Sequence, residues 1–254
     1  MKPYFETEAG KLYHGDCLDV MATLPDGSVD AVITDPPYGT TACKWDSVIP
    51  FEPMWEQLKR VTKKNGAIVL FGSQPFTSAL VMSNPKMFKY DWVWKKTKPQ
   101  RHLMAKKMPL TIHEQILVFY KKQPVYNPQM RPGAPYTKVH QKSSAGVGMG
   151  QDKRSGQISV NQGVRFPIDF LEFPNGNNNT VHPTQKPVAL MEYLIKTYTN
   201  EGETVLDFTM GSGTTGVAAH RLGRKFIGIE LDAGYCEIAA QRIQKETQQL
   251  RMFR

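Results

Sequence analysis

The sequence predicts an α/β fold built on a seven-stranded, mixed but mostly parallel sheet with helices on both faces. Three observations carry that prediction: seven short apolar runs, amphipathic stretches that alternate with them, and a glycine turn joining one run to a following helix. At 254 residues and 40% hydrophobic content, the chain is long enough to bury a substantial core.

The apolar runs fall at 11–14, 29–34, 67–72, 90–94, 115–120, 204–207 and 225–230. Most are short and continuously apolar, the pattern of a strand buried on both faces. The stretch 51–64 carries Met54, Leu58 and Val61 at helical spacing, with Asn65 and Gly66 as its stop. Pro187 opens a helix over 187–198, and Asp232 can cap one that runs to about residue 250. Strands alternating with helices imply a mostly parallel sheet covered on both sides.

That alternation breaks between 121 and 180, where Pro124, Pro128, Pro132 and Pro135 precede the glycine-rich run 143–150. A structureless loop of that length is unusual inside a compact domain. Residues 1–120 and 181–254 are therefore expected to form one domain, with 121–180 inserted into it. The net charge of +9 is concentrated near this insertion: from 95 to 165 there are fourteen Lys and Arg against Glu114 and Asp152 alone. Trp94, Tyr120, Tyr126 and Tyr136 lie in or beside the same stretch. Cations with interleaved aromatics are the footprint of a surface that neutralises phosphates, the bland alternative being a solvated basic face.

No apolar run approaches the roughly 20 residues needed to cross a bilayer, and the amino terminus lacks a signal core. The expectation is a cytoplasmic protein with no membrane partner. Cys17, Cys43 and Cys236 are odd in number and lack paired spacing, so neither a zinc site nor a disulfide framework is expected. His113, Met104 and Met108 read as packing residues.

Two motifs carry chemistry. Asp35-Pro36-Pro37-Tyr38 follows the run 29–34, and two prolines make a stiff loop at the carboxyl end of a strand, where open α/β sheets bind ligands. Asp35 offers a carboxylate acceptor, Pro36 a carbonyl and Tyr38 a flat ring, a set that can hold the hydrogens of an aromatic amine and stack its base. The second motif, Asp207-Phe208-Thr209-Met210-Gly211-Ser212-Gly213-Thr214-Thr215, passes from a strand through a glycine turn into a helix. Glu230, with Leu231 beside it, ends the next strand and is placed to accept hydrogen bonds from both ribose hydroxyls of an adenosine.

In this order the motifs resemble the DNA amino-methyltransferases, in the permuted subgroup whose catalytic tetrapeptide precedes the cofactor motif. His14-Gly15-Asp16-Cys17-Leu18 and His182-Pro183-Thr184-Gln185-Lys186-Pro187 are similar to further segments of that family, as are Trp94-Lys95-Lys96 and His113-Glu114-Gln115-Ile116-Leu117. The resemblance implies a Rossmann-like fold that binds S-adenosylmethionine and acts on double-stranded DNA. The catalytic set would be Asp35, Pro36, Pro37 and Tyr38, and the inserted region would recognise the target. It also implies that Asp16, with Cys17 beside it, contacts the cofactor's adenine. Thr184, Gln185 or Lys186 would lie beside the methionine part, and Asp207, Thr209, Gly211, Ser212, Gly213, Thr214, Thr215 and Glu230 would complete the cofactor site. No metal is required, because the sulfonium is already an activated methyl donor. Dimers are common in this subgroup, so a homodimer is open to the chain.

One departure stands out. The family's phenylalanine two residues before the first glycine is Thr209 here, with Phe208 one step earlier. The absence of a Pro-Cys dipeptide counts against attack on cytosine C5. Asp35 favours adenine N6 over cytosine N4 as the target, and with the permuted order it argues against an RNA base or a protein glutamine. A DNA-binding relative without activity is the reading from another class.

Overall fold

The computed structural model describes residues 1–40, 46–140, 156–175 and 185–252. Cys43 and Thr184 lie outside them. In chain order the elements begin β1 (Phe5–Thr7), β2 (Gly10–His14), α1 (Cys17–Ala22), β3 (Val29–Thr34), α2 (Phe51–Val61), β4 (Thr62–Gly72), α3 (Phe76–Ser83), β5 (Phe88–Gln100) and β6 (Thr111–Phe119). Four short strands follow: β7 (Arg131–Pro132), β8 (Tyr136–Val139), β9 (Ile158–Asn161) and β10 (Val164–Arg165). The chain closes with β11 (Phe170–Glu172), α4 (Val188–Tyr198), β12 (Thr204–Asp207), α5 (Thr214–Arg221), β13 (Lys225–Glu230) and α6 (Ala233–Met252).

All seven expected strands are present, but the sheet has nine, in the order β1-β2-β13-β12-β3-β4-β6-β5-β11. The two additions, β1 paired antiparallel to β2 and β11 paired parallel to β5, are three residues each and sit at the edges. A run that short carries too few residues for its apolar period to show in the sequence. Only β1 and β6 run against the rest, which makes the sheet mixed and mostly parallel.

The continuous apolar runs have a direct cause. Along β4, Ala67, Val69 and Phe71 pack on one face with Leu190 and Leu194 of α4, Val217 of α5 and Ile243 of α6. Ile68 and Leu70 alternate onto the other face with Val20 of α1, Leu58 of α2 and Leu80 of α3. A strand covered on both sides must be apolar at every position. Helix α2 stops at Val61, three residues before the expected end, because Thr62 turns extended and the chain enters β4. Lys63 is then drawn to Asp30 at 2.6 Å, and Gly66 passes so close to β3 that a Cβ would lie 2.7 Å from the Asp30 carbonyl.

The chain divides into two compact units, Met1–Asn127 with Asp169–Arg254, and Pro128–Ile168. The separate unit is narrower than the expected insertion of 121–180. At one boundary Asn127 donates to the Lys196 and Thr199 carbonyls, both at 3.1 Å, and at the other the Val93 amide donates to the Asp169 carbonyl at 2.7 Å. The smaller unit holds two antiparallel ladders, β7 with β10 and β8 with β9. Among the described residues no helix is long and apolar enough to cross a membrane.

Candidate active site

Strands β3, β12 and β13 are parallel neighbours, so Asp35, Thr209 and Leu231, which follow them, emerge at one edge of the sheet. A cavity of about 360 Å³ opens there. It is lined by Asp35, Pro36, Pro37 and Tyr38, by Asp16 and Cys17, by Gln185 and Lys186, by Asp207, Thr209, Gly211, Ser212, Thr214 and Thr215, and by Glu230 and Leu231. Of the expected residues within the described set, Gly213 alone does not line it. At φ 81°, Gly213 sits where a Cβ would meet Ala239 of α6 at 2.9 Å, so its bareness serves helix packing.

Two threonines tie the motifs together. Thr209 Oγ1 donates to the Asp35 carbonyl at 3.0 Å and lies 2.7 Å from Thr34 Oγ1, which donates to Asp207 Oδ1 at 2.6 Å. Thr215 donates to the other oxygen of Asp207. The Thr209 departure thus supplies a hydroxyl that spans the two loops, while Phe208 is buried beneath the sheet and also borders the cavity. Burial pushes the Asp207 carboxyl up to about 6 despite these hydrogen bonds.

The tetrapeptide is held from three sides. Asp46, unnoticed in the sequence, clamps the loop by accepting from the amides of Tyr38, Gly39 and Thr40 at 2.8–2.9 Å. The Tyr38 ring stacks on Phe76 at 5.1 Å and 27°. Its hydroxyl donates to Asp35 Oδ1 at 2.5 Å. Lys186 donates to Asp35 Oδ2 and stands 3.4 Å from Glu114 Oε2, and Lys96 donates to Glu114 Oε1. Tyr38, Asp35, Lys186, Glu114 and Lys96 form one chain in which two carboxylates alternate with two ammonium groups. Glu114 was legible only as part of a less specific segment, since its partners come from elsewhere in the fold.

Charge within that chain follows from mutual contact. Burial raises the Asp35 carboxyl above its ordinary range, and Lys186 offsets part of the rise. Burial opposes the charge on Lys186, yet Asp35 and Glu114 outweigh it and hold the ammonium more firmly protonated than usual. For Glu114, Lys186 and Lys96 together overcome burial and keep the carboxyl below its ordinary range.

On the opposite side of the cavity, Glu230 accepts from the Gly211 amide at 2.7 Å through Oε2 and from the Asp232 amide at 2.9 Å through Oε1. Asp16 caps α1, accepting from the Leu18 amide at 2.8 Å. Gln185 accepts from Ser212 at 3.1 Å, and Arg242, another residue the sequence did not announce, donates to Ser212 Oγ at 2.8 Å from α6. His113, Met104 and Met108, expected to pack, are exposed.

A family model described as DNA methylase matches residues 29–241. The chain belongs to the N6/N4 DNA methylase family. It is 31% identical over 258 residues to the DNA adenine methyltransferase YhdJ of Escherichia coli (strain K12), covering 94% of this chain and 84% of that one. It is 28% identical over 259 residues to the type II methyltransferase M.BamHI of Bacillus amyloliquefaciens, of which it spans 60% of the length while 97% of this chain is matched. Among solved structures, the M1.HpyAVI–SAM complex is 28% identical with a TM-score of 0.61, covering 92% of this chain and 99% of that one. The PvuII cytosine-N4-specific DNA methyltransferase, at 18% identity, TM-score 0.69 and coverage of 97% and 93%, shares the fold.

Proposed function

We propose that the chain is a cytoplasmic, S-adenosylmethionine-dependent methyltransferase of double-stranded DNA that methylates adenine N6. The observation that carries this reading is the convergence of the Asp35 and Asp207 loops on one cavity, bridged by the 3.0 Å hydrogen bond from Thr209 to the Asp35 carbonyl. Its volume of about 360 Å³ lies within the range of cofactor sites. The donor set fits as well: Asp16 and Glu230 bring carboxylate acceptors suited to an amine and to ribose hydroxyls, and Gly211, at φ 53°, turns the loop between them.

Bound S-adenosylmethionine supplies an activated methyl group. The protein's own contribution is orientation. An aromatic amine is a weak nucleophile because its lone pair is delocalised into the ring, and accepting its two hydrogens lets the nitrogen pyramidalise. Asp35 accepts a hydrogen bond from one N–H of the amine and the Pro36 carbonyl from the other. Tyr38, backed by Phe76, stacks on the extruded base. A carboxylate has about four lone-pair sites, so Asp35 can serve the amine while holding Tyr38 and Lys186. Lys186 favours the ionised form of Asp35, the stronger acceptor, and the compact unit Pro128–Ile168 reads the target sequence.

Plasmid DNA incubated with the protein and labelled S-adenosylmethionine, digested to nucleosides and analysed by mass spectrometry, should yield N6-methyladenine. N4-methylcytosine would overturn the choice of base, and no transfer would overturn the enzyme. The similarity to YhdJ supports adenine.

A further inference from the structure

Strands β5 and β6 pair out to Lys95↔His113 and, after an irregularity across 96–99, again at Gln100↔Thr111, whereas β4 ends at Gly72 opposite Gln115. Asp35 follows the last residue of β3, Thr34, which pairs with Leu70 of β4. The hairpin turn at 101–110 therefore projects beyond the edge on which Asp35 stands. Glu114 lines the cavity, and Thr111 lies three residues from it, about 10 Å of strand.

Every residue from Arg101 to Leu110 is exposed, and Leu103 is 100% exposed. The tip is a bonded turn: Arg101 is left-handed at φ 65°, His102–Met104 form a 3-10 helix, and the Lys107 and Met108 amides donate to the Met104 carbonyl at 2.8 and 3.0 Å. From Lys95 to His113 the sequence has six Lys and Arg and no acidic residue, and Lys98, Arg101, Lys106 and Lys107 are exposed. A fully exposed leucine with exposed cations on both sides of it in the sequence is suited to a partner with an anionic exterior and an apolar interior. Duplex DNA has both, in its phosphates and its base stack.

We propose that Leu103 is a wedge that enters the duplex at the target pair and fills the gap left when the base swings into the Asp35 cavity. Lys98, Arg101, Lys106 and Lys107 bind the flanking phosphates. The inference rests on the chain being a DNA methyltransferase. Extrusion breaks a pair and two stacking contacts, and an apolar filler lowers that cost.

The methylated sequence is first read from plasmid DNA treated with the wild-type protein; no methylation there would sink the enzyme reading rather than the wedge. On a duplex oligonucleotide of that sequence, Leu103→Ala is expected to slow single-turnover methylation about 10-fold or more. On the same duplex with the base opposite the target removed, its rate should return close to wild type, because the target is already unpaired. Leu103→Met should retain activity on both duplexes. S-adenosylmethionine affinity by calorimetry should be unchanged, as expected for a surface side chain. Equal rates for Leu103→Ala and wild type on the matched duplex, or an equal loss on both duplexes, would overturn the wedge.

Discussion

Lys186 donates to Asp35 across 151 residues of sequence and is itself steadied by Glu114 at 3.4 Å. The resemblance put Thr184, Gln185 or Lys186 beside the methionine part of the cofactor, and the Lys186 ammonium lies on Asp35, the carboxylate proposed to hold the target amine. Removing that charge as Lys186→Met leaves burial and the neighbouring Glu114 charge opposed only by the Tyr38 hydrogen bond, so the Asp35 pKa rises further. The ionised carboxylate is the stronger acceptor, so the acid limb of the pH–kcat profile should move to higher pH. Lys186→Arg should bring the profile most of the way back to wild type. An unchanged pH profile with weakened cofactor binding would return Lys186 to the cofactor.

Asp35→Ala should abolish methyl transfer while leaving S-adenosylmethionine affinity close to wild type, because the carboxylate serves the amine. Calorimetry beside a transfer assay separates the two effects. Transfer at a substantial fraction of the wild-type rate would contradict the mechanism.

Glu230→Ala should weaken cofactor binding first. It removes an acceptor for the ribose, at about 1.5–3 kcal/mol per charge-assisted hydrogen bond, and leaves the Gly211 and Asp232 amides without their carboxylate. Calorimetry at constant pH measures the loss.

Asp207 sets a pH dependence of stability. Its carboxyl is pushed up to about 6 by burial, so between about pH 4 and 6 the folded state binds more protons than the unfolded one. Stability from this group is therefore present at low pH and is lost as pH rises through 6, by roughly 3 kcal/mol in all. Asp207→Asn should flatten that part of the curve in denaturant titrations run across the window. A slope undiminished in the variant would assign the effect elsewhere.

Replacing Pro128–Ile168 with a short linker should leave S-adenosylmethionine binding measurable and eliminate sequence-specific methylation. For the intact protein, DNA affinity should fall steeply with salt as Lys and Arg displace condensed counterions. A flat dependence would remove the basic segment from the docking surface.

The sequence by itself determined seven of the nine strands of the main sheet, the tetrapeptide loop, the glycine turn and the acidic residue that ends β13. Each is written in short-range pattern: continuous apolar runs where both faces are covered, Pro36 and Pro37 where a ladder ends, and Gly211 where the backbone turns left-handed. The tertiary structure decided what those pieces touch. Gly213 faces Ala239 because α5 packs on α6, and Asp46 accepts from the amides of residues 38–40, a contact that no local pattern announces. Lys186, just before α4, joins Asp35 to Glu114, which β6 brings beside β4 by pairing antiparallel to it. Periodicity is set by neighbours a few residues apart, whereas charge pairing in a buried site depends on strand order and crossover, which no local pattern specifies.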